Sequence, residues 1–191
     1  MSKQLDHYEF KKIQKKFSPN IVLVLENFEH EENIGSAFRL ADAFNVKKIL
    51  IISDKELDTH KIEKTARNCS KTTTYEILPT TEQAILNVKH LGFAPICVEI
   101  CDDSIPLRDC DFSQFDGVAL IMGNEKYGVS QYALDNSVKR VHIDMFGNNS
   151  SMNVSTALAI ALYKCNEDIY SAKFSKKTFV IYNCFKFCQR F

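Results

Sequence analysis

Six stretches of the chain are apolar almost without interruption, each bounded by turn residues: "NIVLVLE" (20–26), "KKILIIS" (47–53), "TYEIL" (74–78), "APICVEI" (94–100), "GVALIMG" (117–123) and "KRVHID" (139–144). Runs that are continuous rather than alternating, and rich in Ile, Val and Leu, mark parallel strands buried on both faces. Between them the apolar positions recur with a helical period over 34–44, more weakly over 61–68, and again over 82–91 and 131–138. Strands and helices alternating at this spacing predict an α/β domain with a parallel sheet. The N-terminal segment reads as a helix with Leu5, Tyr8, Ile13 and Phe17 as its apolar stripe. The C-terminal "KKTFVIYNCFKFCQRF" fits neither period, so a strand, a helix and a segment ordered against a partner chain all stay open. The expected organisation is a basic helical extension (1–19), a core domain (20–165) and a basic C-terminal extension (166–191).

A chain of 191 residues can bury one substantial core. No apolar run reaches the ~18 residues a membrane span needs, and "MSKQLDHYEFKKIQKKF" is charged throughout, without the apolar centre of a secretory signal. The expectation is a soluble, cytoplasmic protein. Seven cysteines without any C-x-x-C pair suit free thiols better than a disulfide framework or a zinc knuckle, and no metal is expected. Cys184 and Cys188 could share a helix face, but without histidine partners they make a poor metal site. The formal net charge is zero, yet it is unevenly spread. Residues 1–17 carry five Lys against Asp6 and Glu9, and residues 99–116 carry six acids against Arg108. Such segregation can give a neutral protein a basic face suited to nucleic acid.

Neither the glycine fingerprint of a Rossmann fold nor that of a P-loop is present, so any nucleotide-like cofactor must be held by other loops. Three loop-and-helix segments stand out. In "NIGSAFRLADAF", Asn33 can cap a helix and Arg39 follows six residues later, close enough to lie near it around the helix start. "IMGNEKYGVS" is a strand end that turns through Gly123, Glu125 and Gly128. "IDMFGNNSSMNVSTA" crowds Asn148, Asn149, Ser150, Ser151 and Asn153 in front of an apolar helix. One or two of these would cap that helix, Ser150 or Asn149 being the obvious candidates; the surplus suggests a turn that binds something.

N-x-x-x-x-x-R, then G-x-E-x-x-G-[VL]-S, then I-x-M-x-G with S-[LM]-N-[VL]-S resemble, in this order, the three motifs of the SpoU/TrmH branch of the SPOUT RNA methyltransferases. The resemblance runs from about Asn20 to Tyr163 and includes "ICVEICDDSIPL" ahead of the second motif. It implies a parallel-sheet SPOUT domain with a C-terminal deep trefoil knot, S-adenosylmethionine as methyl donor, a homodimer with the active site at its interface, and methyl transfer to a ribose 2′-hydroxyl of tRNA or rRNA. Carried over by motif, Arg39, Asn33, Glu125, Ser151 and Asn153 take catalytic or substrate-positioning places. Val98, Met122, Gly123, Ile143, Met145, Ser151 and Met152 take places around the cofactor. The family usually has Pro where this chain has Asp144, which puts the geometry of that loop in question.

Arg39 is too basic to serve as a general base. It is read as an electrostatic clamp on an RNA phosphate and on the developing alkoxide, with phosphate or water taking the proton. Asn33 would fix the guanidinium, and Glu125 would pair with it or hold the ribose. The competing reading of Arg39 is a surface ion pair with Glu31, Glu32 or Asp42. His142 reads as a structural histidine, and Lys126 and Tyr127 as RNA contacts or turn-shaping residues. Basic termini around a bare core resemble the tRNA-directed members, with the D-loop guanosine as first target and the anticodon wobble position as second. Alternatives are an rRNA substrate, or a knotted RNA-binding protein without turnover.

Overall fold

The computed structural model describes residues 3–14 and 17–188, with the side chains of 7 and 175–188 left aside. Seven strands form one sheet: β1 Ile21–Glu26, β2 Lys48–Ile52, β3 Tyr75–Leu78, β4 Ala94–Val98, β5 Ile105–Pro106, β6 Val118–Met122 and β7 Lys139–His142. Every pairing is parallel, in the order β3-β2-β1-β6-β4-β7-β5. All six apolar runs became strands, shortened at their polar ends. β5 is a two-residue strand inside the acidic stretch, too short to leave a periodic signal, and was not expected.

Helices cover both faces. α2 Glu31–Ala43, α3 Thr59–Ala66 and α6 Val154–Cys188 share one hydrophobic core, with Leu23, Leu25, Ile49, Leu120 and Met122 from the sheet and Leu158, Ala161 and Leu162 from α6. α4 Thr81–His90 and α5 Gln131–Asn136 pack on the other face over Val22, Val24, Leu50 and Ile121. A central strand must therefore be apolar along its interior, and β1 and β6 are buried throughout. The buried Glu26 at the end of β1 is satisfied by accepting from the Thr81 hydroxyl and the Ser130 N–H. Gly35 explains how α2 and α3 lie so close. A Cβ there would stand 2.6 Å from Thr65 Cβ and 2.8 Å from the Ile62 carbonyl oxygen.

The N-terminal helix α1 His7–Ile13 is real, closed by a capping box between Asp6 and Glu9. Its apolar stripe is not buried by this chain: Tyr8 is 69% and Ile13 65% exposed, whereas Phe17 packs edge-on against Tyr170 at 5.2 Å. The open question over the C-terminal stretch resolves for the backbone, since α6 continues as helix to Cys188. The expectation for the Cys184 and Cys188 side chains lies outside the described residues. Among those described, Cys97, Cys110 and Cys165 are buried free thiols; burial pushes Cys97 up to about 12 and Cys165 further still. No helix of the described residues is long and apolar enough to cross a membrane.

Candidate active site

In open α/β sheets ligands settle in the crevice outside the carboxyl ends of the strands. Here β4, β6 and β7 end together beneath the start of α6, around a cavity of about 470 Å³. That volume falls within the ~300–1,000 Å³ usual for small-molecule sites. All seven residues assigned to cofactor contact line it: Val98 closes β4, Met122 and Gly123 end β6, Ile143 and Met145 follow β7, and Ser151 and Met152 precede α6. Asn33, Glu125 and Asn153 line it as well.

The loop after β6 is shaped by Asn124. Its backbone exchanges hydrogen bonds with Gly128 at 3.0 and 2.9 Å, its Oδ1 accepts from the Lys126 and Tyr127 amides, and its Nδ2 donates to the Asn27 carbonyl. Gly128 has a positive φ of 70°, and a Cβ there would run into the Glu99 carboxylate. This turn aims Glu125 across the cavity at the start of α2. Glu125 Oε2 accepts the Glu29 N–H at 2.7 Å, and Oε1 accepts the Asn33 amide at 2.7 Å and the His30 N–H at 3.3 Å. Burial acts to raise this carboxyl, but these hydrogen bonds outweigh it and hold Glu125 below the ordinary carboxylate value. His30, the N-cap residue of α2, supplies no side-chain cap; a carboxylate from a remote loop sits at that end instead. Asn33 Oδ1 in turn accepts the Asn153 amide at 3.2 Å.

Several expectations are corrected by this geometry. Asn33 does not cap α2; it lies inside the first turn, buried, with both ends of its amide engaged. Neither Ser150 nor Asn149 caps α6, because Asn153 does so, its Oδ1 accepting the Ser155 N–H at 2.8 Å and the Ser155 hydroxyl at 2.6 Å. Six residues along a helix turn about 600°, so Arg39 faces away from Asn33. Arg39 is exposed, lies outside the cavity, and touches neither Asn33 nor Glu125. The competing surface ion pair does not form either: among the described residues Arg39 has no hydrogen bond or ion pair, and Glu31 faces Lys61 at 3.9 Å. Asp144 is neutralised by an ion pair with Arg108 and lies 3.9 Å from His142 Nε2.

Glu99, Ile100 and His142 are among the lining residues that the sequence does not mark for this site. Glu99 joins the two loops, accepting the Ile100 N–H and the Val129 N–H, each at 2.9 Å. Ile100 supplies apolar wall beside it. His142, read as structural, is hydrogen-bonded at Nδ1 to Ser104 Oγ at 2.9 Å and also lines the cavity. Their common signal is position: each closely follows or ends a parallel strand, where such folds place ligands.

The SpoU rRNA Methylase family profile matches residues 20–163. The chain belongs to this family. A tRNA (guanosine(18)-2′-O)-methyltransferase of Aquifex aeolicus is 25% identical over 154 residues, 81% of this chain and 72% of that protein. A 23S rRNA (guanosine-2′-O-)-methyltransferase RlmB of Neisseria meningitidis is 28% identical over 145 residues, 75% of this chain and 57% of that protein. Among solved structures, a TrmH/SpoU tRNA modifying enzyme of A. aeolicus superposes with a TM-score of 0.74 at 24% identity, covering 82% of this chain and 78% of the other. The SpoU methyltransferase AviRb of Streptomyces viridochromogenes, solved in complex with AdoMet, gives 0.70 at 21% identity, covering 84% and 64%. These likenesses confirm the parallel α/β fold expected from the apolar runs.

Proposed function

We propose that this SpoU methylase transfers a methyl group from S-adenosylmethionine to the 2′-hydroxyl of a tRNA ribose, the D-loop guanosine being the first candidate. The observation that carries this reading is the convergence of all seven cofactor positions with Asn33, Glu125 and Asn153 on one cavity at the strand ends. Its donor set suits the methyl donor. Val98, Met122, Ile143 and Met152 offer apolar and thioether surface for a purine. Backbone groups of the Gly123 and 143–145 segments, with Ser151, offer hydrogen bonds to ribose and amino-acid ends. When bound, S-adenosylmethionine supplies an electrophilic methyl on a sulfonium. The remaining work falls to this chain. Asn153, locked by the cap of α6 and by Asn33, presents a fixed amide at the cavity rim. Glu125 spends its oxygens on three donors and is held ionised, so it is a positioning group and a poor proton acceptor. Arg39 would clamp phosphate and stabilise the developing alkoxide, with phosphate or water taking the proton.

Arg39 lies outside the cavity of its own chain, and this favours a homodimer in which it faces the cavity of a second copy. The exposed apolar residues of α1 and Tyr163 on α6 give such a pairing surface to bury. The family's trefoil knot is part of the same proposal: β7 inserts between β4 and β5, both earlier in the chain, so the chain after 138 returns into a layer already laid down. The tRNA reading draws on the tRNA-modifying relative, which this chain covers more fully than the rRNA one, and on the basic termini. With tRNA as substrate, the cytoplasm is the compartment we propose. Calorimetric titration with S-adenosylmethionine tests the cavity. Binding in the micromolar range that Asn153→Ala leaves intact and Gly123→Val abolishes is the expected result; no heat with the unmodified chain would contradict the proposal.

A further inference from the structure

A second cavity, of about 210 Å³, opens on the sheet edge between α2, α3, β3 and the 3₁₀ turn Cys69–Lys71. We propose that it is a slot for one unpaired nucleobase of the RNA, separate from the methyl-donor cavity; this rests on RNA being the substrate. Its walls are apolar, from Phe38, Leu57, Ile62 and Ile77, and Tyr75 stands edge-on to Phe38 with ring centroids 5.1 Å apart. Tyr75 is 46% and Ile77 50% exposed, an unusual cost for an edge strand that presents no partner for them. A cavity this small is below the usual size for a drug-like ligand, and a flat heterocycle suits it. Bases bind by stacking on aromatic rings, with polar edges turned to a few hydrogen-bonding groups.

The polar group is present. Ser70 lines the slot, and its hydroxyl is the one buried side-chain oxygen or nitrogen without a hydrogen-bond partner among the described residues. Buried polar atoms nearly always find partners, so an orphan beside a cavity points to something that completes it. Charge supplies the identity of that partner. Residues 59–71 carry Lys61, Lys64, Arg67 and Lys71 against Glu63 alone. Among the described residues Lys64, Arg67 and Lys71 are exposed and have no ion-pair partner. Arg67 and Asn68 both adopt left-handed backbone (φ 49° and 69°), which folds the turn carrying Ser70 and Lys71 back over the slot. Arg39 directly follows Phe38 and is near enough for its charge to act on the Cys69 thiol. The slot thus opens beside the residue proposed to hold phosphate. Lys71 and Glu63 both line an otherwise largely apolar and aromatic pocket, and the exposed Lys64 and Arg67 lie on the segments that frame it. That combination fits single-stranded RNA.

The test is fluorescence anisotropy of the full chain with a labelled tRNA transcript at several salt concentrations, beside a melting curve for each variant. Tyr75→Ala should weaken binding about tenfold or more, the usual loss for one stacked base, with the salt dependence unchanged. Tyr75→Phe keeps the ring and should bind within about twofold. Lys71→Ala should lower the salt slope by about one. Should Tyr75→Ala melt early, Ile77→Glu at the mouth replaces it, with the same tenfold loss expected. Unchanged affinity in a folded Tyr75→Ala or Ile77→Glu chain overturns the slot. So does a change in oligomer mass on light scattering, which would make this face a seat for a second copy. If the unmodified chain binds S-adenosylmethionine yet no RNA, the substrate reading fails first, and the slot with it.

Discussion

Glu125 was legible in the sequence as a site residue but not in its job. The motif gave its place, whereas its partners are the N–H groups of Glu29 and His30 and the amide of Asn33, more than ninety positions away. No local pattern encodes such a contact. Glu125→Gln should cost about 1–3 kcal/mol of stability, because a charged acceptor is replaced by a neutral group that must turn one N–H toward donors. The carboxyl titrates lower in the folded chain than its unfolded value of about 4.5. Its contribution is therefore fully present above that pH and is lost as pH falls through the lower folded value. Urea titrations at pH 7 and pH 3 should show the gap between Glu125→Gln and the parent shrinking in acid. A gap independent of pH would mean that the charge does not matter. Arg39 is the opposite case, conspicuous in the sequence and set apart in the fold. Arg39→Lys keeps the charge but loses the planar fork. Single-turnover methylation of tRNA should fall at least a hundredfold, about 3 kcal/mol in the transition state, with S-adenosylmethionine affinity unchanged. A near-normal rate would remove Arg39 from the mechanism.

Elements are legible in the sequence where a single physical cause dominates. Strands buried on both faces must be apolar along their interior, so β1, β2 and β6 are plain in the sequence despite Glu26 and Lys48 at their ends. β5 escaped because two residues carry no period. Helix ends were misread for a related reason. Several Asn and Ser side chains offered themselves as caps, and tertiary contacts decided among them: Asn153 caps α6 because Asn33 holds its amide from the other side. Asn153→Ala should accordingly destabilise the chain by more than the ~1 kcal/mol of an ordinary cap, since it also leaves Asn33 Oδ1 unpaired in a buried place. Between helices, Gly35→Ala should cost about 1–3 kcal/mol by overpacking, because the new methyl meets Thr65 and the Ile62 carbonyl at under 3 Å. Urea denaturation measures both. A neutral Gly35→Ala would mean that α2 and α3 can separate freely.

For the whole molecule, the sheet places three strand ends and the start of α6 around one cavity, and leaves Arg39, α1 and the edge slot facing outward. One chain of 21.9 kDa thus holds the cavity proposed for the methyl donor without Arg39, the proposed clamp, beside it. Light scattering at micromolar concentration should give about twice that mass. Mixing Arg39→Ala with Gly123→Val chains should restore part of the activity that neither has alone, because one mixed site would carry both intact halves. The most direct test of the central claim is methyl transfer itself. The chain is incubated with methyl-labelled S-adenosylmethionine and a tRNA transcript, in parallel with the same transcript bearing a 2′-deoxy nucleotide at the D-loop guanosine. Label entering the first RNA as a 2′-O-methyl group at that guanosine, and none entering the second, is the result predicted. Equal labelling of both RNAs, or label on a base rather than a ribose, would contradict it.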